Sequence, residues 1–141
     1  MLDYLKYRWK LRSYLIEQQE IEARYQPRLD KARGNSEETQ RINHEKTQEI
    51  IIVRDLILRL GTEYLYKKAA KRILPTPFAD EFWEDSFAIP GTKHLNEEGL
   101  LELRKTLREE RQARSRSIVM WVSALTGLIG AATGLAAVLL S

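Results

Sequence analysis

Apolar positions recur at helical spacing over most of the chain. The clearest run is Ile50, Val53, Ile57, Leu60 and Tyr64, spaced three, four, three and four, which is the seam of an amphipathic helix. Upstream lies a second apolar set: Leu2, Leu5, Trp9, Leu15 and Ile16. Between the two, Gly34-Asn35-Ser36 interrupts the pattern. A glycine there closes one helix in the left-handed conformation. Asn35, with Glu38 three residues on, opens the next as a capping box. Pro75 and Pro77 end the second helix. Residues 1–74 are therefore expected to fold as a long, coiled-coil-like antiparallel hairpin, each arm roughly 50 Å long at 1.5 Å per residue.

Pairing about the turn sets partner numbers near a sum of 70, which places Leu5 by Leu65, Trp9 by Gly61 and Ile16 by Val53. The predicted hairpin core is Leu5, Trp9 and Ile16 against Val53, Ile57, Leu60 and Tyr64. Residues 17–48 are mostly polar, with Ile21, Ala23, Tyr25, Leu29, Ala32 and Ile42 as the apolar exceptions. The expected hairpin thus has a packed base and a wet tip, with Pro27 kinking or splitting the first arm.

Residues 75–96 read as an irregular linker rich in proline, acid and aromatic side chains. Phe78 and Phe82 are four apart, as are Trp83 and Phe87, so a helical turn there would show an aromatic face. These four residues are either a cover for the hairpin base or a docking element for another protein. Asn96 then caps a charged helix over 97–117, whose Leu100, Leu103 and Leu107 share one face. The fold class expected is all-α.

Residues 118–140 carry no charge. As a helix this run is roughly 35 Å long, against a hydrocarbon core of about 30 Å, and it reads as a transmembrane segment continuous with the helix before it. Arg108, Arg111, Arg114 and Arg116 precede it and no basic residue follows, so the rest of the chain is expected on the cytoplasmic side, with these arginines at the membrane surface. Within the run Ser123, Gly127, Gly130, Gly134 and Ala137 are spaced four, three, four and three, and Ala131 widens the stripe. Small residues at that spacing predict a helix–helix interface in lipid, and hence a homo-oligomer or a second membrane protein.

Charge is unevenly distributed. Residues 1–75 carry 16 Lys/Arg against 11 Asp/Glu, residues 76–99 one against six, and residues 100–141 six against three, for the overall +3. With no cysteine, disulfides and thiolate metal sites are excluded. His44 and His94 are the only histidines and fall in different segments. No phosphate loop, HExxH or GxSxG occurs, so neither catalysis, a metal nor a cofactor is expected. Basic and aromatic residues interleave from Tyr4 to Tyr14. Nucleic acid would need them on one exposed face. The expected arrangement instead spreads the charges around a packed base, and nucleic acid is not the expected partner.

The run LPTPF…FWEDS…GTKHLNEEGLLELRKTLREER, followed by TGLIGAATGLAAVL, resembles a group of small bacterial proteins that pair a helical hairpin with a C-terminal membrane helix. The resemblance covers residues 74–140 and implies a bacterial inner-membrane setting. The function expected is that of a tail-anchored interaction or scaffold protein, or a small subunit of a membrane complex. Its anchor would associate with other helices and its hairpin would recruit a cytosolic partner. The alternative is a small oligomerising effector that perturbs the bilayer as toxins and holins do.

Overall fold

The computed structural model describes residues 2–139, with side chains as far as Gly127 and at Ile129. It is 79% helical, as an all-α reading expects. Helix α1 spans Leu2–Lys31, α2 spans Ser36–Ala70 and α3 spans Glu97–Leu139. Between α2 and α3 lie a 3-10 turn, Asp80–Phe82, and two strands, β1 (Trp83–Asp85) and β2 (Lys93–Leu95). The chain divides into two compact units, residues 1–104 and 105–141.

The α1–α2 turn forms as the sequence dictates. Gly34 takes φ 102°, and Asn35 Oδ1 accepts from the Glu38 amide at 3.3 Å. Ala32 O accepts from Thr39 Oγ1 at 3.1 Å, which closes the end of α1 against the start of α2. Helix α1 runs unbroken through Pro27 rather than splitting there. Proline forfeits one hydrogen bond, and the packing of Tyr25, Leu29 and Ala32 around it holds the last turns in place.

The register differs from the expected one. Asp3 pairs with Lys71, Arg24 with Glu49 and Arg28 with Glu45, so partner numbers sum to 73 or 74. A shift of three to four is about one helical turn, and it changes which residues meet. The α1 seam is Tyr7, Leu11, Tyr14, Gln18, Ile21, Tyr25, Leu29 and Ala32, a spacing of three or four throughout, and all of these are buried or half-buried. Leu5, Trp9 and Ile16, expected in the core, are 57%, 73% and 45% exposed. On α2, Val53 is buried and Ile57, Leu60 and Tyr64 are half-buried. Gly61 does not meet Trp9; its Cα faces Leu100 of α3 instead.

The half of the hairpin expected to be wet is packed. The buried cluster joins Ile21, Tyr25, Ala32 and Ile42, in the supposedly wet half, to Val53 of the expected core. Few apolar residues are available there, but nearly all lie on one line. Tyr25 donates to Glu49 Oε1 at 2.7 Å, and the two Arg–Glu pairs flank the line. Alignment on a seam, not the number of apolar residues, decides what is buried.

The linker is more regular than expected. Strands β1 and β2 pair antiparallel, Trp83 opposite Leu95 and Asp85 opposite Lys93, around a turn in which Gly91 has φ 77°. Asn96 caps α3, accepting from the Gly99 amide at 2.8 Å, while its own amide group donates to Glu81 O at 2.7 Å. Leu95, Leu100 and Leu103 are buried here.

Among the described residues no helix is long and apolar enough to cross a membrane. The transmembrane helix over 118–140, the tail-anchored topology and the inner-membrane placement are therefore not supported. Of the small-residue stripe, Ser123 and Gly127 are exposed, whereas Gly130, Ala131, Gly134 and Ala137 lie outside the described side chains. Thr126 donates to Val122 O within its own helix. Arg108, Arg111, Arg114 and Arg116 are exposed, and Arg114 pairs with Glu110 at 3.0 Å.

Candidate functional site

Three places in residues 1–104 concentrate chemistry, and they are of different kinds. The most buried is centred on Asp55, on the side of α2 away from the α1 seam. Asp55 is 4% exposed, yet its carboxylate takes four hydrogen bonds. Ser86 Oγ donates at 2.6 Å and His94 Nε2 lies at 2.8 Å; the amides of Phe87 and Ala88 donate at 3.0 and 3.2 Å. His94 Nδ1 is 3.2 Å from Leu95 O, so both ring nitrogens meet oxygen. Nearby, Thr62 Oγ1 donates to Leu58 O and accepts from the Leu95 amide at 2.9 Å.

Asp, His and Ser together suggest an acyl-transfer triad, but their order is wrong for one. A triad needs the imidazole between serine and carboxylate, so that the ring can take the serine proton. Here the carboxylate is in the middle. Ser86 gives its hydrogen to Asp55 and accepts from the Ile89 amide. Burial pushes the Asp55 carboxyl up, but the bonds from Ser86, His94 and the two amides outweigh it and hold the group below its ordinary value. A saturated, ionised, sealed carboxylate is a latch. It fastens the β1–β2 turn to α2, and among the described residues no buried side-chain polar atom is left unsatisfied. The sequence carried no spacing signal for this latch, since Asp55 and His94 are 39 residues apart.

The second place is the outer side of α1. At 100° per residue, Leu2, Leu5, Trp9 and Ile16 form a line diametrically opposite the Tyr7–Leu11–Tyr14–Gln18 seam. Leu2 and Trp9 are 74% and 73% exposed. Lys6 and Arg12 border this line. Of the aromatic docking candidates, Phe78 and Phe87 are 85% and 77% exposed, while Phe82 and Trp83 are half-buried. Trp83 donates its indole N–H to Pro77 O at 3.0 Å, which ties the linker to itself. The four therefore divide into two anchors and two knobs and do not form a single aromatic face.

The third place is the open end of the hairpin, where Tyr7 and Tyr64 stack with centroids 4.2 Å apart at 14°. Tyr4 meets Tyr64 at 6.3 Å and 45°. Around these rings lies a groove of about 330 Å³.

Elsewhere, His44 is exposed and contacts Gln48 at 2.9 Å. Among the described residues no group of three or more His, Asp or Glu side chains is placed to hold a metal ion. No protein-family profile, curated protein or solved structure matches this chain.

Proposed function

We propose that this chain is a non-catalytic helical adaptor in which α1 is shared between two neighbours: α2 on one side and a helix of a partner protein on the other. The observation that carries the reading is the outer line of α1. A helix with apolar seams on opposite sides is suited to lie between two others. Leu2, Leu5, Trp9 and Ile16 remain in water even though the inner seam of the same helix is packed. Exposed tryptophan is the residue most enriched at binding hot spots. Lys6 and Arg12 at the border favour an amphipathic helix with acidic flanks, because opposite charges at the edge of a helix–helix seam select the partner.

Site-specific photo-crosslinking tests this. A crosslinker replacing Trp9 in the full-length protein, expressed at native level, is expected to join one partner through an acid-flanked helical segment. Leu5→Glu abolishes that product, and a crosslinker at Glu22 does not give it. Products spread over unrelated proteins, or equal yields from positions 9 and 22, would sink the adaptor reading. A product joining α1 to α1 of a second copy would replace it with self-assembly.

A further inference from the structure

The groove at the open end of the hairpin has a chemistry that the adaptor reading does not use. Three tyrosines, Tyr4, Tyr7 and Tyr64, form its floor. Five lysines line it as well: Lys6 and Lys10 from α1, and Lys67, Lys68 and Lys71 from the end of α2. Two acids, Asp3 and Glu63, reduce this to a local excess of three positive charges, as large as the net charge of the whole chain. Asp3 is already held by Lys71 at 3.2 Å. Lys10 and Lys67 have no ion-pair partner among the described residues. Lys68 Nζ lies 5.7 Å from the centre of the Tyr64 ring. Burial, with Tyr4 and Tyr7 nearby, raises the Tyr64 phenol, so the ring stays uncharged and adds no repulsion toward an anion.

From this juxtaposition we infer that the groove binds a nucleotide, with phosphate on the lysines and the base on the ring of Tyr4. A plain anion would need the lysines only. An apolar ligand would need the rings only. A planar ring carrying a phosphate uses both, as single strands do on aromatic platforms in basic grooves. A volume of about 330 Å³ is at the small end for a ligand site and suits one nucleotide unit rather than a folded partner. Tyr4 is 47% exposed and the Arg8 guanidinium lies 5.9 Å from its ring centre, so a base stacks there by taking the place of Arg8, without disturbing the Tyr7–Tyr64 pair. The unit is either a free nucleotide or one link of a single strand. This inference does not depend on the outer line of α1, and the variants that test it lie elsewhere.

The test is fluorescence anisotropy of a labelled oligothymidylate with the full-length protein at low salt, competed with free thymidine monophosphate. The probe is expected to bind, and binding should weaken as salt rises. Lys10→Gln/Lys67→Gln is expected to cut affinity at least tenfold and to flatten the log–log salt slope by about 1.4, at 0.7 per phosphate contact on a single strand. Tyr4→Ser should weaken binding about as much while leaving the salt slope unchanged. Circular dichroism of each variant should match the native protein, since the three side chains are exposed. If the monophosphate displaces the probe at concentrations near its own binding constant, the free nucleotide is the ligand; if it does not, the strand is. Three results would overturn the inference: no binding at low salt, binding indifferent to these substitutions, or equal affinity for inorganic polyphosphate, which has no ring.

Discussion

At the scale of single residues, two glycines and one isoleucine separate what spacing reveals from what contact decides. A Cβ on Gly99 would stand 2.9 Å from Phe82 O and 3.0 Å from Phe82 Cβ and Leu95 Cδ2, so backbone would have to move. Gly99→Ala is expected to cost about 1–3 kcal/mol in chemical denaturation, the usual range for overpacking. Gly61 lies inside α2, and a Cβ there would meet only the Leu100 methyls at 3.4 and 3.6 Å, an ordinary contact. Gly61→Ala should therefore be neutral or stabilising by up to about 1 kcal/mol, the helix-propensity difference. Ile73 has φ 56° and is 94% exposed, a left-handed β-branched residue with almost no packing in return. It follows α2, whose end is closed by the Leu74 amide on Ala69 O at 3.1 Å. Ile73→Gly should gain about 0.5–1 kcal/mol net of glycine's freedom in the unfolded chain, raising Tm by roughly 2–4 °C. The caps Asn35 and Asn96 and the turn residue Gly34 were legible in the sequence because capping is local chemistry. Gly99 and Ile73 were not, because their constraints come from residues brought up by the fold.

At the scale of elements, the deepest lesson is in α1. The helix carries two seams half a turn apart, and residue type alone favours the wrong one as the inner face. Leucine and tryptophan outrank tyrosine on any hydropathy scale, yet the line from Tyr7 through Leu11, Tyr14, Ile21 and Tyr25 to Ala32 runs nearly the length of α1 with Gln18 its one polar member, whereas the other stops at Ile16. Tyrosine packs its ring and leaves its hydroxyl to reach an edge partner, as Tyr25 does with Glu49. The strands were illegible for a different reason: at three residues each they are too short to leave a period. They depend on Asp55, so Asp55→Asn should destabilise the 83–95 hairpin by about 1.5–3 kcal/mol, as the loss of hydrogen bonds to a charged group does. The pH dependence has a definite sign. The folded carboxyl sits below its unfolded value, so its contribution is fully present above about pH 5 and is lost as pH falls through the folded value. Acid titration followed by Trp83 fluorescence, with Trp9 and Trp121 changed to Phe, should report that loss, and Asp55→Asn in the same background should show a flatter acid limb.

At the scale of the whole molecule, the distribution of charge and exposed apolar surface is what distinguishes this chain from a hairpin that is merely stable. Hydropathy alone placed its emphasis on the uncharged stretch near the C-terminus, and the described residues do not support a membrane-crossing helix there. The surface emphasis instead falls on α1, which is basic and aromatic on the groove side and apolar on the outer side. Because Leu5 is 57% exposed, Leu5→Glu is expected to leave unfolding free energy within about 0.5 kcal/mol of the native value while removing partner capture. A loss of both together would mean that the outer line supports the fold. The broad helical class was readable from periodicity, and so was the position of the hairpin turn. The register, and with it the groove, required knowing which of two plausible seams wins.

The latch on Asp55 also sets a clock. A pair of three-residue strands would open and close freely on its own, but here the amides of Phe87 and Ala88 end on a carboxylate that belongs to α2, and the Leu95 amide ends on Thr62 of the same helix. None of them meets solvent unless an ionised group is stripped of its partners or α2 itself lets go. In hydrogen exchange these three amides should keep time with the middle of α2 rather than with the loop around Pro90. A turn between two three-residue strands would then be among the slowest parts of the molecule to forget its deuterium.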